Sequence, residues 1–157
     1  MHPVMKEISL ILHDIRSSEN VGSIFRTADA AGVSRIYLTG YTPAPLDRFG
    51  RKNTKLAKAA LGAEAFVPWE ERQDIFALFK ELKERGVVVA AVEQSPHSIS
   101  YRGLVSERPV AFIFGNEVGG IPAHVLSEAD VVLEIPMHGK KESLNVSVAA
   151  GIVLFAS

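Results

Sequence analysis

Short apolar runs alternate along this chain with longer segments of helical period, which predicts an α/β fold with a mostly parallel, doubly wound sheet. Two further observations support that class. Val87–Val92 and Val110–Phe114 are continuous apolar runs rich in β-branched residues, as expected of strands covered on both faces. Polar loops lie at 13–19, 40–53, 93–108 and 136–143, three of them directly after predicted strands, and in such sheets ligands gather at the carboxyl ends of the strands.

The elements follow in order. Ile8–Leu12 is an apolar run and the first strand. Val21–Gly32 is a helix, because Val21, Ile24, Phe25, Ala28 and Ala31 fall on one face; Asn20 is its candidate N-cap. Ile36–Thr39 is the second strand. Thr54–Leu61 is a basic helix ended by Gly62, and Ala65–Val67 is a short strand. Glu70–Arg85 is a helix with an apolar stripe at Ile75, Phe76, Phe79 and Leu82, closed by Gly86. After the two buried strands, Pro122–Ser127 is a short helix with proline in its first turn. Val131–Ile135 is another strand, and Asn145–Ala156 is the last helix. The resulting order is β-α-β-α-β-α-β-β-α-β-α.

Length and composition bound the possibilities. The 157 residues correspond to one domain, spanning 1–157, with no linker or repeat. Lys and Arg number 17 against 18 Asp and Glu, so bulk charge cannot hold a nucleic acid, though a local basic patch can. The absence of cysteine excludes disulfides, iron–sulfur clusters and a thiol nucleophile. His124 and Glu128 are spaced as a helical pair, but no third ligand has suitable spacing, so no metal is expected. The first dozen residues lack a signal-peptide core. The longest uncharged apolar stretch, Ser143–Ser157, is shorter than the ~20 residues that span a bilayer. A cytoplasmic protein is the expectation.

Three segments carry the chemistry. Phe114–Pro122 runs from a buried strand into Gly115, Asn116, Glu117, Gly119 and Gly120; glycine there lets a backbone approach a ligand closely. It is neither a dinucleotide fingerprint nor a P-loop, and it reads equally as a plain strand-to-helix turn. In Ile135–Ser147, a strand end leads to Ser143 and Asn145; helix capping explains one of these two, not both. In Asn20–Asp29, Arg26 lies off the apolar stripe; the plain alternative is a surface pair with Asp29. Separately, Arg48, Arg51, Lys52, Lys55 and Lys58 place five positive charges in eleven residues. That run is either a solvated face or a phosphate-contacting patch.

Together these segments resemble the SpoU/TrmH family of RNA ribose 2′-O-methyltransferases, within the SPOUT class. The likeness covers nearly the whole chain, with the three motifs at Asn20–Gly32, Phe114–Pro122 and Ile135–Ala150. The resemblance implies a deep C-terminal trefoil knot and a homodimer. It implies S-adenosylmethionine (AdoMet) as cofactor, touching Val92, Gly115, Asn116, Gly120, Ile135, Met137, Ser143 and Leu144. Arg26, Asn20, Glu117, Ser143 and Asn145 are the implied catalytic set. Arg26 of one subunit would face the cofactor of the other and activate the hydroxyl. Asn20 would orient Arg26 or the ribose, and Glu117 would hold Arg26 or the cofactor region. Ser143 and Asn145 would place the target phosphate or the methionine end. Leu154 and Phe155 would suit either a dimer interface or a core. Arg48, Arg51, Lys52, Lys55, Lys58, Lys140 and Lys141 are the candidate RNA contacts. The expected substrate is tRNA, with 23S rRNA as the alternative. A non-catalytic RNA-binding module and a dehydrogenase-like nucleotide enzyme are the rival classes.

Overall fold

β1 (Ile8–His13) is mostly apolar and buried because it lies inside a seven-stranded sheet, flanked by β2 (Arg35–Thr39) and β6 (Val110–Phe114). The computed structural model describes residues 6–157; part of the N-terminal stretch read as free of a signal peptide lies outside them. With β3 (Trp69–Arg72), β4 (Val88–Val92), β7 (Val131–Glu134) and β5 (Ile99–Ser100), the strand order is β3-β2-β1-β6-β4-β7-β5. Every pairing is parallel. The chain steps outward from β1 to β3, then crosses to β4, so the direction of winding reverses between β1 and β4. A ligand crevice is expected there, beyond the carboxyl ends of the strands.

Period-two alternation divides the core between the two faces. Leu10, Leu12, Phe112 and Phe114 point to one side. They meet α1 (Ser18–Ala31), α2 (Thr54–Ala60) and α5 (Val146–Phe155) through Ile24, Phe25, Leu56 and Val153. Ile11, Val89, Ala111 and Ile113 point to the other, against α3 (Ile75–Glu84) and α4 (Ala123–Leu126) through Leu78, Phe79, Leu82 and Val125. The sheet is therefore doubly wound. Each fully buried large side chain contributes about 1.5–3 kcal/mol.

Four local expectations are corrected. No strand forms at Ala65–Val67; a short 3-10 turn occupies Ala63–Ala65 and Phe66 is exposed. The third strand is displaced past Pro68, whose carbonyl accepts from Ile36 N at 2.9 Å and starts the pairing with β2. Its charged sequence suits an edge: Arg72 pairs with Glu70 at 3.0 Å and Arg35 with Glu70 at 3.2 Å. The helix expected from Glu70 begins instead at Ile75, capped by Asp74, which accepts from Phe76 N and Ala77 N. Its buried stripe uses Leu78, while Phe76 is half-exposed. α1 starts three residues earlier than the apolar stripe suggested, with Ser17 and not Asn20 as N-cap; the Ser17 side chain accepts from Asn20 N. Finally, the two-residue edge strand β5 lies within a segment read as loop.

Candidate active site

The loops after β4, β6 and β7 converge on a cleft of about 440 Å³. The β6 loop closes tightly: Gly120 N donates to Asn116 O at 2.9 Å and Asn116 N to Gly120 O at 3.2 Å. The Asn116 side chain builds this turn. Its Oδ1 accepts from Val118 N and Gly119 N, and its Nδ2 donates to Asp14 O and Tyr41 OH. Two glycines are required here. Gly120 has φ +67°, and a Cβ on it would lie 2.1 Å from Glu93 Oε2; a Cβ on Gly115 would lie 2.7 Å from the Gly120 backbone and from Ile121. Glu93 Oε2 accepts from Ile121 N at 2.9 Å, and so ties the end of β4 to the β6 loop. Gln94 Nε2 donates to Glu142 O at 2.8 Å, which joins that same end to the loop before α5.

All eight residues expected at the cofactor line this cleft: Val92, Gly115, Asn116, Gly120, Ile135, Met137, Ser143 and Leu144. The lining also holds Glu93, Glu117, Glu134 and Glu142, and neither lysine nor arginine. Glu93, Glu134 and Glu142 were not anticipated. The one signal for Glu93 is its position directly after the strand residue Val92. Its contact with Gly120 is tertiary and has no local signature.

A hydrogen-bond chain joins the three sequence segments at the mouth of the cleft. Glu117 Oε1 accepts from Arg16 N at 2.9 Å; Oε2 accepts from Ser17 N at 2.9 Å and from Asn20 Nδ2 at 3.0 Å. Asn145 Nδ2 donates to Asn20 Oδ1 at 3.2 Å. Glu117 thus sits against the N-terminus of α1, where unpaired amides and the helix dipole favour a negative charge. Burial opposes ionisation of its carboxyl, but the amides of Arg16 and Ser17 and the Asn20 side chain prevail and hold it below its ordinary value. Asn145 caps α5, accepting from Ser147 N and Val148 N. Ser143 takes no part in the cap and faces the cleft, so capping accounts for one of that pair and not the other.

Arg26 stands apart. It is exposed, it does not line the cleft, and among the described residues it forms no ion pair; the pairing with Asp29 is absent. Six residues beyond Asn20, it lies ~9 Å further along the α1 axis. Glu117 therefore holds the start of α1 and not Arg26. The candidate RNA residues Arg48, Arg51, Lys52, Lys55, Lys58, Lys140 and Lys141 are all exposed. Leu154 belongs to the core, whereas Phe155 is 65% exposed.

A parallel α/β sheet carrying a glycine-walled, acid-lined cleft at the carboxyl ends of its strands defines a ligand-binding α/β protein, and comparison with known proteins narrows it. The SpoU rRNA Methylase family profile matches residues 7–155, and the chain belongs to that family. It is 35% identical over 145 residues to the 23S rRNA (guanosine-2′-O-)-methyltransferase RlmB of Neisseria meningitidis, covering 92% of this chain and 55% of that protein. The chain spans about half the length of the curated relatives it matches. An AdoMet-bound rRNA methyltransferase from Sinorhizobium meliloti is 32% identical, with TM-score 0.85 over 99% of this chain and 57% of that one. A structure solved to explain 2-OH methylation of C/U34 on tRNA is 29% identical, with TM-score 0.79 over 96% and 93% of the two chains.

Proposed function

We propose that this chain is one methyltransferase domain that transfers a methyl group from AdoMet to a ribose 2′-hydroxyl of RNA, with tRNA as substrate, in the cytoplasm. The observation that carries the reading is the chain Glu117–Asn20–Asn145, which brings all three family segments to the mouth of one cleft. Relatives that act on rRNA and on tRNA both support RNA as the substrate class. No helix among the described residues is long and apolar enough to cross a membrane.

The cleft fits the cofactor by its chemistry. Val92, Ile135, Met137 and Leu144 supply an apolar wall, and Gly115 and Gly120 expose backbone groups. Four glutamates without a lysine or arginine favour a ligand bearing positive charge and disfavour a polyphosphate such as NAD or ATP. When bound, AdoMet supplies an electrophilic methyl on a sulfonium. The remaining work falls to this chain. A ribose hydroxyl is a poor nucleophile, and holding it in line accounts for much of the rate. Ser143 and Asn145 stand where the loop before α5 meets the cleft and can position the substrate. Arg26 is the residue that activates the hydroxyl, by aiming its charge at the oxygen on which negative charge develops.

Arg26 does not reach the cleft of its own subunit, which supports a homodimer in which each subunit completes its partner's site. Val148, Ile152 and Phe155 fall on one face of α5, with Val148 50% and Phe155 65% exposed, and this apolar face suits the interface. The trefoil knot belongs to the same proposal. Its support is the strand order: β6 closes on β1, after which β7 inserts between β4 and β5.

A thermal-unfolding scan with AdoMet, S-adenosylhomocysteine, NAD and ATP tests the cleft. A ligand present at 100 times its Kd adds about 2.7 kcal/mol of stability. Stabilisation by the first two alone is expected; stabilisation by NAD or ATP in their place contradicts the proposal.

A further inference from the structure

The loop between β2 and α2 is more than a carrier of positive charge. One of its ends is fastened to the cleft-lining Asn116 and the other to the start of α1. Tyr41 OH accepts from Asn116 Nδ2 at 2.9 Å, and Asn53 Nδ2 donates to Ser18 Oγ at 3.0 Å, at the first turn of α1. Between these anchors the loop folds back on itself, with Leu46 bridging Lys52. Asp47 organises the tip. Its Oδ1 accepts from Phe49 N at 2.8 Å and from Arg51 N at 2.9 Å; its Oδ2 accepts from Arg51 Nε at 2.8 Å. The result is a small, pre-formed turn whose apex is Phe49.

Phe49 contributes nothing to either half of the core and is 65% exposed. Two guanidinium groups lie over its ring: the Arg48 carbon at 4.7 Å from the centroid and that of Arg51 at 5.0 Å. Arg51 is held by Asp47, whereas Arg48 forms no ion pair among the described residues. Lys52, Lys55 and Lys58 continue the positive charge onto α2. An exposed aromatic ring amid exposed cations, presented on a rigid turn beside a cleft, has the chemistry that takes an unpaired base together with its phosphates.

We infer that the Arg48–Phe49–Arg51 cluster is a stacking platform for one unpaired nucleobase of the RNA substrate. The base takes a face of the Phe49 ring. Arg48 swings from the ring to a phosphate, while Arg51 remains pinned by Asp47. The platform thereby registers the strand against the cleft to which its loop is anchored. The identity of the ligand rests on the RNA reading above, but the binding measurement needs neither cofactor nor turnover.

The test is the affinity of the full chain for a short labelled oligoadenylate at fixed salt, with the oligomeric state measured alongside. Phe49→Ala and Phe49→Leu should each weaken binding by about 5- to 150-fold, the effect of losing one base–aromatic stack. Phe49→Trp should bind at least as tightly as the wild type, with the oligomeric state unchanged in all variants. A Leu variant as tight as the wild type, or an Ala variant with unaltered affinity, overturns the platform. So does an Ala variant that changes oligomeric state while keeping its affinity, since a second copy of the chain would then be covering Phe49. Failure of the wild type to bind the oligonucleotide overturns it as well. Methyl transfer that is intact and indifferent to Phe49 would sink the platform alone. Binding that depends on Phe49, with no methyl transfer to any RNA, would sink the enzymatic reading alone.

Discussion

Glu117 shows how one side chain can tie the parts of a site together. Its carboxylate takes three N–H donors from the start of α1, and through Asn20 it reaches Asn145 on α5. In Glu117→Gln one of those donors would face an amide N–H, at a cost of about 1–2 kcal/mol. The folded carboxyl ionises below its ordinary value of 4.5, so its stabilisation is complete above that pH and is lost as pH falls through the folded value. The stability gap between wild type and Glu117→Gln should therefore be constant near neutrality and close at pH below 4.5. Denaturant melts across that range check it, and a gap that persists in acid would contradict the assignment. Gly120→Ala is a sharper probe of the cleft. Its added methyl collides with Glu93 at a backbone angle that alanine rarely adopts. AdoMet binding, measured by calorimetry, should be lost while the fold survives. Normal binding would mean that Glu93 moves freely and does not hold the cleft. Glu93 also marks a limit of sequence reading. Following Val92 it reads as a solvated acid, and only the fold brings it against Gly120.

Secondary elements were legible wherever local pattern and tertiary environment agree. α1, β4 and β6 were found because an apolar stripe or run is matched by burial on the corresponding face. β3 was misplaced because the most apolar part of its region, Ala65–Val67, precedes a proline, while the strand itself carries Glu70, Glu71 and Arg72. Such an edge strand is set by its neighbour β2 and not by its own hydropathy. β5, with two residues, has no pattern to detect. α2 raises a different question, since a basic helix can be a solvated face or a phosphate contact. Lys55 and Lys58 extend along it from Lys52, just before its N-cap, and are all exposed. Charge reversal at Lys52 and Lys55 should weaken RNA binding and lower its salt slope by about 0.7–0.9 per lost phosphate contact. An unchanged slope would return this helix to the status of a solvated face.

Across the whole molecule, the sheet order does what no single element can. By seating β6 directly beside β1 it places Glu117 within hydrogen-bonding distance of Asn20, 97 residues away, and the packing of α5 on α1 brings Asn145 to the same Asn20 across 125 residues. These segments could be singled out from their residue types. Their mutual contacts could not, because they depend on strand order. The same geometry leaves Arg26 away from its own cleft, as the proposed homodimer requires. The most direct test of the account is transfer of label from radiolabelled AdoMet to separated, unmodified tRNA and rRNA pools, with Arg26→Ala beside the wild type. The account predicts 2′-O-methyl label on the tRNA pool, lost in Arg26→Ala while AdoMet binding persists. Label confined to rRNA would replace the substrate, and no label on either pool would contradict the central claim.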